Sequence, residues 1–353
     1  MEALHLHGHV LPAAEARDVW VVDGRITFEE QPEARTLIQD GWLIPGLVDA
    51  HAHLSLASPS DGTPAERATA SAMQQLDAGV LLVREPGSPD DGAEGLGPDE
   101  GTPRVIRAGR FIVTEGGYIP GLGLETQPQD LAATVTAQAR PGQWVKLVVD
   151  FVLDGRIQQT WSRADIATAV GAAHAAGARI TVHATCPEAI VAAVEAGVDG
   201  IEHGTGMPRE LLPELLDREV MWTPTLLISD GVRAMAAQQA TADGAKEVHG
   251  WLDGVAATVD AAAELGVVLL AGTDAGMGPH GQIGQELRLL SQAGLTSEQV
   301  LAAGSWDARR RLGFQGIEEG APADLLAFDV DPRSDLAALD RPIVKLLDGR
   351  LLS

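Results

Sequence analysis

Two histidines spaced i, i+2, His51 and His53, close an apolar run that includes Trp42, Leu43, Ile44, Leu47 and Val48. On a β-strand that spacing puts both imidazoles on one face, because side chains alternate with a period of two. Paired imidazoles at the end of a buried strand are the start of a metal site. Four further residues of ligand type stand in or after apolar runs of their own. Lys146 lies within Trp144-Val145-Lys146-Leu147-Val148, His183 in Ile180-Thr181-Val182-His183-Ala184, His203 in Ile201-Glu202-His203-Gly204, and Asp274 in Ala271-Gly272-Thr273-Asp274. Singly, each has an ordinary explanation. A strand-end histidine is often a hydrogen-bonded core residue, and an aspartate after a strand often caps a helix. Six such residues on five separate strand ends together point to a metal centre.

The elements that must position them follow a regular rhythm. From Ile44 onward, apolar strands alternate with Ala-rich helices, which implies parallel βα units. Strands are expected near 44–50, 80–84, 104–113, 144–150, 178–183, 199–203, 220–226 and 267–273. Helices are expected at 163–176, 187–196, 208–218 and 240–265, then at 283–293, 297–303 and 307–312. Eight strands with helices between them predict an α/β fold, a (β/α)8 TIM barrel over 44–314, with chemistry at the C-terminal strand ends. The first 40 or so residues read as short strands with Asp23-Gly24 as a hairpin turn. Beyond residue 315 the chain returns to β character, so 1–43 and 315–353 are expected to combine as a small β-sandwich. The Gly-, Asp- and Pro-rich run Asp90 to Gly101 reads as a loop.

Composition narrows the function classes. A formal charge of −25 disfavours nucleic acid and anionic membranes as partners. No apolar stretch approaches the roughly 18 residues that span a bilayer, and the N-terminus lacks a secretory pattern. A cytoplasmic location is the resulting expectation. The single cysteine, Cys186, excludes an internal disulfide framework and a cysteine metal cluster, and reads as a buried thiol. Lysine is scarce: Lys146, Lys246 and Lys345 are the only three. One of them inside an apolar strand therefore calls for a reason beyond a head group snorkelling to solvent.

The constellation resembles the amidohydrolase superfamily, and the resemblance covers nearly the whole chain. Pro45 to His53 is similar to its first-strand motif, and His183 through Ala196-Gly197-Val198-Asp199-Gly200-Ile201-Glu202-His203-Gly204 to the passage between the fifth and sixth strands in its prolidase and imidazolonepropionase branch. Gly272-Thr273-Asp274 and Gly320-Ala321-Pro322-Ala323-Asp324-Leu325 also match. The resemblance implies a barrel flanked by a sandwich from both termini, and two divalent metal ions, most often zinc. His51, His53 and Asp274 would hold one ion, and His183 and His203 the other. Lys146 would bridge them as a carbamate formed with carbon dioxide, which turns an ill-suited ammonium into two anionic oxygens. The implied reaction is hydrolysis without a covalent intermediate. Hydroxide generated between the metals attacks a polarised carbonyl, and Asp274 carries the proton to the leaving nitrogen.

Other residues carry weaker expectations. Tyr118, the only tyrosine, stands in Thr114-Glu115-Gly116-Gly117-Tyr118 where prolidase-like relatives often have Gly-Gly-His. It would bind the scissile carbonyl or a substrate carboxylate, or close a loop. His280 follows Asp274 in the loop expected to roof the site, for substrate binding or helix capping. Arg84 is expected to ion-pair with Glu85 or a neighbour in preference to binding an anion, and Trp222 and Thr225 to pack in the core in preference to lining the pocket. Glu202, adjacent to His203, should face the opposite way, into helix packing or an ion pair. His5, His7 and His9 share one face of a terminal strand and imitate a metal site, but read as a half-exposed face. His174 and His249 fall on helices.

Together these residues predict a metal-dependent hydrolase cleaving an amide bond of a small molecule, such as a dipeptide or N-acyl amino acid. The alternative is a mononuclear deaminase or imidazolone-type cyclic amide hydrolase. Such relatives usually lack the bridging lysine and place a glutamate three residues after the fifth-strand histidine, where this chain has Cys186. Lactone or carbamate hydrolysis stays open, because the metals do not dictate the leaving atom. A non-catalytic metal-binding scaffold is the reading from another class, set against the retention of every ligand. Barrels of this size often pair, so a homo-oligomer is a further expectation.

Overall fold

The computed structural model describes residues 2–56 and 62–352, and in it the parallel strands fall into two groups. Leu47–Asp49, Val80–Glu85 and Arg104–Arg107 form a three-stranded sheet. Leu124–Thr126, Ile112–Thr114, Trp144–Val148, Arg179–Ala184, Gly200–His203 and Met221–Thr223 form a six-stranded one in that order. Val80–Glu85 and Trp144–Val148 within them are buried on each face, as expected of parallel strands covered by helices. This is a TIM-barrel-type fold of mixed α/β content.

Strand pairing does not close the expected ring. The anticipated strand 104–113 breaks where Gly109 takes φ +68°, and Ser88 N–H donates to Gly109 O at 2.9 Å instead of continuing a ladder. The anticipated eighth strand, 267–273, makes only an isolated bridge between Trp222 and Leu269. Its backbone still reaches both neighbours: Leu270 N–H donates to Trp222 O, and Ala50 N–H donates to Ala271 O. The ladder fails there because Ala271 N–H turns aside to Ala303 O, and because Asp274 leaves the extended region at φ +53°.

The helices cap and cover these strands. Pro64–Asp77, Arg163–Ala175 and Ser297–Gly304 each open on a capping box, with Thr63, Ser162 and Thr296 as N-caps. Ser229–Gln239 is a helix that the sequence reading left out, and it precedes the long helix Ala242–Leu265. No helix among the described residues is long and apolar enough to cross a membrane.

The two chain ends do combine, but as one hydrogen-bonded sheet of eight strands and not as the expected pair of stacked sheets. Its path runs Arg350–Leu351, Val344–Leu347, Leu325–Phe328, Trp42–Pro45, Leu4–Val10, Glu15–Val22 and Arg25–Thr27, with Arg35–Ile38 beside Leu4–Val10. The far edge curls back, since Ile26 N–H donates to Ala321 O and Ala323 N–H to Gly24 O. Curling lets one sheet enclose its own core of Leu4, Leu6, Val19, Val21, Ile26, Leu43 and Leu325. The outward residues include His5 and His7, which both meet Asp18 at 2.9 Å.

Three hairpin turns share the sequence Asp-Gly-Arg. Asp23-Gly24, Asp154-Gly155 and Asp348-Gly349 all have positive φ at both residues, as a type I′ turn requires. Only the first was singled out from the sequence. The second makes the hairpin Asp150–Leu153 with Arg156–Gln159, which the reading did not anticipate.

Gly46 joins the terminal sheet to the first parallel strand. A Cβ there would lie 2.4–2.5 Å from three side-chain carbons of Leu81, so Gly46→Ala forces a buried strand to move. We expect a loss of about 1–3 kcal/mol, the usual cost of overpacking, read as a lower urea midpoint at constant m.

Candidate metal centre

Asp49 sets the register of the site. Its buried carboxylate accepts from His51 N at 3.2 Å, Thr273 N at 3.0 Å, Thr273 Oγ1 at 2.6 Å and Gln75 Nε2 at 2.9 Å. These bonds hold the end of the first strand against the loop that carries Asp274. Burial raises the Asp49 carboxyl above its ordinary value, while the Thr273 hydroxyl and amide work the other way. Gly272 allows the approach: a Cβ on it would lie 2.7 Å from His51 Cβ.

His51, His53 and Asp274 are buried, and their ligand atoms all lie within 4.8 Å of one another. His51 Nδ1–H donates to Glu202 Oε2 at 2.8 Å, and His53 Nδ1–H donates to Gly87 O at 2.8 Å. A carboxylate and a carbonyl only accept, so both protons sit on Nδ1 and both Nε2 atoms present lone pairs. Those two Nε2 atoms stand 3.2 Å apart, and Asp274 Oδ1 is 3.2 Å from each. Three electron-rich atoms so close, with their other sides already satisfied, match the donor set of a divalent cation.

His183 and His203 lie beside this triad. The His203 ring centroid is 4.9 Å from that of His51 and 4.7 Å from that of His183. His203 Nδ1 contacts Thr225 Oγ1 at 2.9 Å, which leaves Nε2 for the cavity. Burial, reinforced by His183, lowers the His203 imidazole well below its normal range. His183 Nε2 is 3.4 Å from Asp150 Oδ1. Asp150 in turn accepts from Thr185 N at 2.6 Å and Cys186 N at 2.7 Å. Lys146 sits opposite Thr181 in the strand pairing, is buried, and lines the same cavity. Burial pulls its amine down to about 8, against the opposing pull of Glu202 and Asp274.

Glu202 does not face away from His203, as strict alternation predicts. His203 adopts φ +67°, a left-handed conformation that breaks the period of two, so both side chains enter the interior. Glu202 there accepts from His51 and from the Thr181 hydroxyl, and pairs with Arg84 NH2 at 2.7 Å. Burial would raise its carboxyl, but Arg84 and His51 hold it well below the ordinary range. Arg84 is fully buried and its partner is this cross-barrel glutamate, not Glu85. Its Nε donates to Ala50 O at 2.7 Å and NH2 to Thr223 Oγ1 at 3.0 Å, with the guanidinium 4.7 Å from the Trp144 ring centroid.

Tyr118 reaches the cavity, its ring 6.2 Å from His183, 5.7 Å from Phe111 and 5.2 Å from Phe151. Burial, with Asp274 nearby, raises its phenol above the normal value. His280 is buried against Gln75, 3.4 Å from Gln75 Nε2, and is not among the residues lining the cavity. Burial, with His53 nearby, drops its imidazole to about 4. Trp222 packs in the core and donates from Nε1 to His203 O at 2.9 Å, while Thr225 both lines the cavity and holds His203. Sequence reasoning assigned nothing to Asp49 or Asp150. Their signal was a carboxylate inside or directly after an apolar run, the same one that drew attention to Lys146.

Comparison with known proteins gives the fold and the family. An uncharacterized protein of Mycobacterium tuberculosis is 39% identical over 356 residues, covering 98% of this chain and 95% of its own. A Xaa-Pro dipeptidase solved with bound methionine superposes with a TM-score of 0.84 at 22% identity over the full length of both chains. The ochratoxinase of A. niger gives 0.82 at 16% identity, over 99% of this chain and 95% of that one. At such identities the two structures speak for the fold. The profile of the Amidohydrolase family matches residues 42–351, and with it the chain is a member of that family, whose enzymes are metal-dependent hydrolases acting on carbon–nitrogen bonds.

Proposed function

We propose that this protein hydrolyses an amide bond of a small substrate at the cluster of His51, His53, Lys146, His183, His203 and Asp274. The observation that carries the reading is the pair of Nε2 atoms of His51 and His53, 3.2 Å apart with Asp274 beside both. His51, His53 and Asp274 would hold one divalent ion, His183 and His203 a second, and Lys146 would bridge as its carbamate. Such ions, zinc being the expected one, supply Lewis acidity that acidifies water and polarises a carbonyl oxygen.

The chain's own groups do the rest. Asp274, as its carboxylate, takes the proton of the attacking water and returns it to the leaving nitrogen. Carbon–oxygen bond formation and carbon–nitrogen cleavage then yield a carboxylic acid and an amine. Glu202 and Gly87 O keep His51 and His53 in the tautomer that faces the cavity. Tyr118 lines the cavity, and its hydroxyl would donate to a substrate oxygen. An amine lowered to about 8 is partly neutral near physiological pH, as attack on carbon dioxide requires.

Metal analysis tests this reading. Chelated protein should lose hydrolysis and regain it with zinc. Lys146→Ala should lose one of the two ions and most activity, with partial rescue by a short carboxylic acid that replaces the carbamate. Metal content and activity unchanged in Lys146→Ala would remove the bridging role.

A further inference from the structure

The cavity that opens above this cluster has a volume of about 1000 Å³, at the upper end of the range for small-molecule sites. We infer that its natural substrate is an electroneutral, largely apolar amide with no free carboxylate; this rests on the amide-hydrolase reading above. The wall beyond the ligands is built by Phe151, Leu227, Val232, Met235, Leu252 and Val255. Its polar members away from the cluster are neutral, Ser229, Gln239, Gln282 and Gln285 among them. Among the described residues the lining contains no arginine, and no lysine other than Lys146.

A dipeptide or N-acyl amino acid brings a carboxylate that needs a cation or a cluster of donors when taken from water. The one charged side chain of the lining outside the proposed ligands is Asp150, and it is acidic. Its oxygens are already occupied by Thr185 and Cys186 amides, so it neither attracts an anion nor needs one. The formal charge of −25 disfavours anions at long range. An apolar wall, by contrast, rewards every methylene or ring it covers. Phe111, Tyr118 and Phe151 form an aromatic corner next to His53 and His183 that suits a flat ring. Met235 and Met277, 38% and 57% exposed, stand at the mouth, where flexible thioethers accept varied apolar shapes.

The test uses a matched pair, phenylacetanilide and its 4-carboxyanilide analogue, with zinc-loaded full-length protein. Hydrolysis is followed by release of the amine. The neutral anilide should show kcat/KM larger by roughly 100-fold or more, the scale set by an unpaired buried charge. Val232→Arg, which places a cation on the wall, should shrink or invert that ratio. Calorimetry on zinc-loaded Asp274→Asn reads binding apart from chemistry, and should detect the neutral amide and not its carboxylate. Equal or better turnover of the carboxylate overturns the inference and leaves the hydrolase reading standing. Selective binding of the neutral amide without cleavage by the wild type does the reverse, sinking the amide reading and sparing the pocket assignment. Neither binding nor cleavage of the neutral compound overturns both.

Discussion

Asp274→Asn is expected to lower kcat by roughly 10²- to 10⁴-fold, the range for loss of a positioned acid–base group. The substitution is nearly isosteric, and the Asp274 N–H bond to His51 O at 2.7 Å does not depend on the side chain. The loop and its left-handed backbone should therefore persist. A carboxamide still offers an oxygen toward His51 and His53, but it cannot take a proton from water and give it to a leaving nitrogen. The effect should fall on kcat and kcat/KM together, with little change in KM, because the lost contribution is specific to the transition state. Near-wild-type turnover in this variant would remove Asp274 from proton transfer. A matching loss of metal would instead point to a role in holding the ion. Parallel measurement of zinc per chain and of rates at saturating zinc separates the two.

Arg84→Met is expected to destabilise the protein by about 3–5 kcal/mol, the cost of breaking a buried ion pair by removing one partner. Arg84 and Glu202 are both fully buried, and Glu202 is shared between the guanidinium and the His51 imidazole. Without Arg84 the carboxylate keeps only His51 and the Thr181 hydroxyl as hydrogen-bond partners among the described residues. Replacing both partners, as Arg84→Met with Glu202→Gln, should cost less than the single change, because no orphaned charge remains. Urea unfolding of the two singles and the double checks this directly. Additive losses would mean that the two residues act independently. A second readout belongs to the site. Since Glu202 orients His51, the Glu202→Gln protein should bind zinc about 10- to 100-fold more weakly.

The residues gathered at the cavity floor were legible because each stood out locally. His51 and His53 share a strand face by their spacing, Lys146 is a rare lysine among aliphatic neighbours, and Asp274 follows a Gly-Thr after an apolar run. The positions and types of most strands and helices followed from apolar periodicity. The misreadings have a common cause. Glu202 was assigned to the wrong face because alternation assumes extended φ, and His203 is left-handed. The structural ion pair expected of Arg84 forms, but with Glu202 on a distant strand and not with Glu85. The hairpin at Asp154-Gly155 carried the same turn signal as Asp23-Gly24, but it sat where a βα loop was expected.

By itself the sequence determined the chemistry available to this protein: which imidazoles, carboxylates and amine end the apolar runs, and hence a metal-dependent hydrolase of the amidohydrolase type. Local spacing and polarity carry that information, since a strand's period of two and a helix's 3.6 are properties of short segments. Only the tertiary structure decided what surrounds those groups. The Arg84–Glu202–His51 relay and the Asp49 contacts that clamp the first strand to the Asp274 loop join residues 26 to more than 200 positions apart, and the largely apolar cavity wall is assembled from equally distant segments. Such meetings depend on strand order and on single backbone torsions at strand ends, which no local pattern encodes.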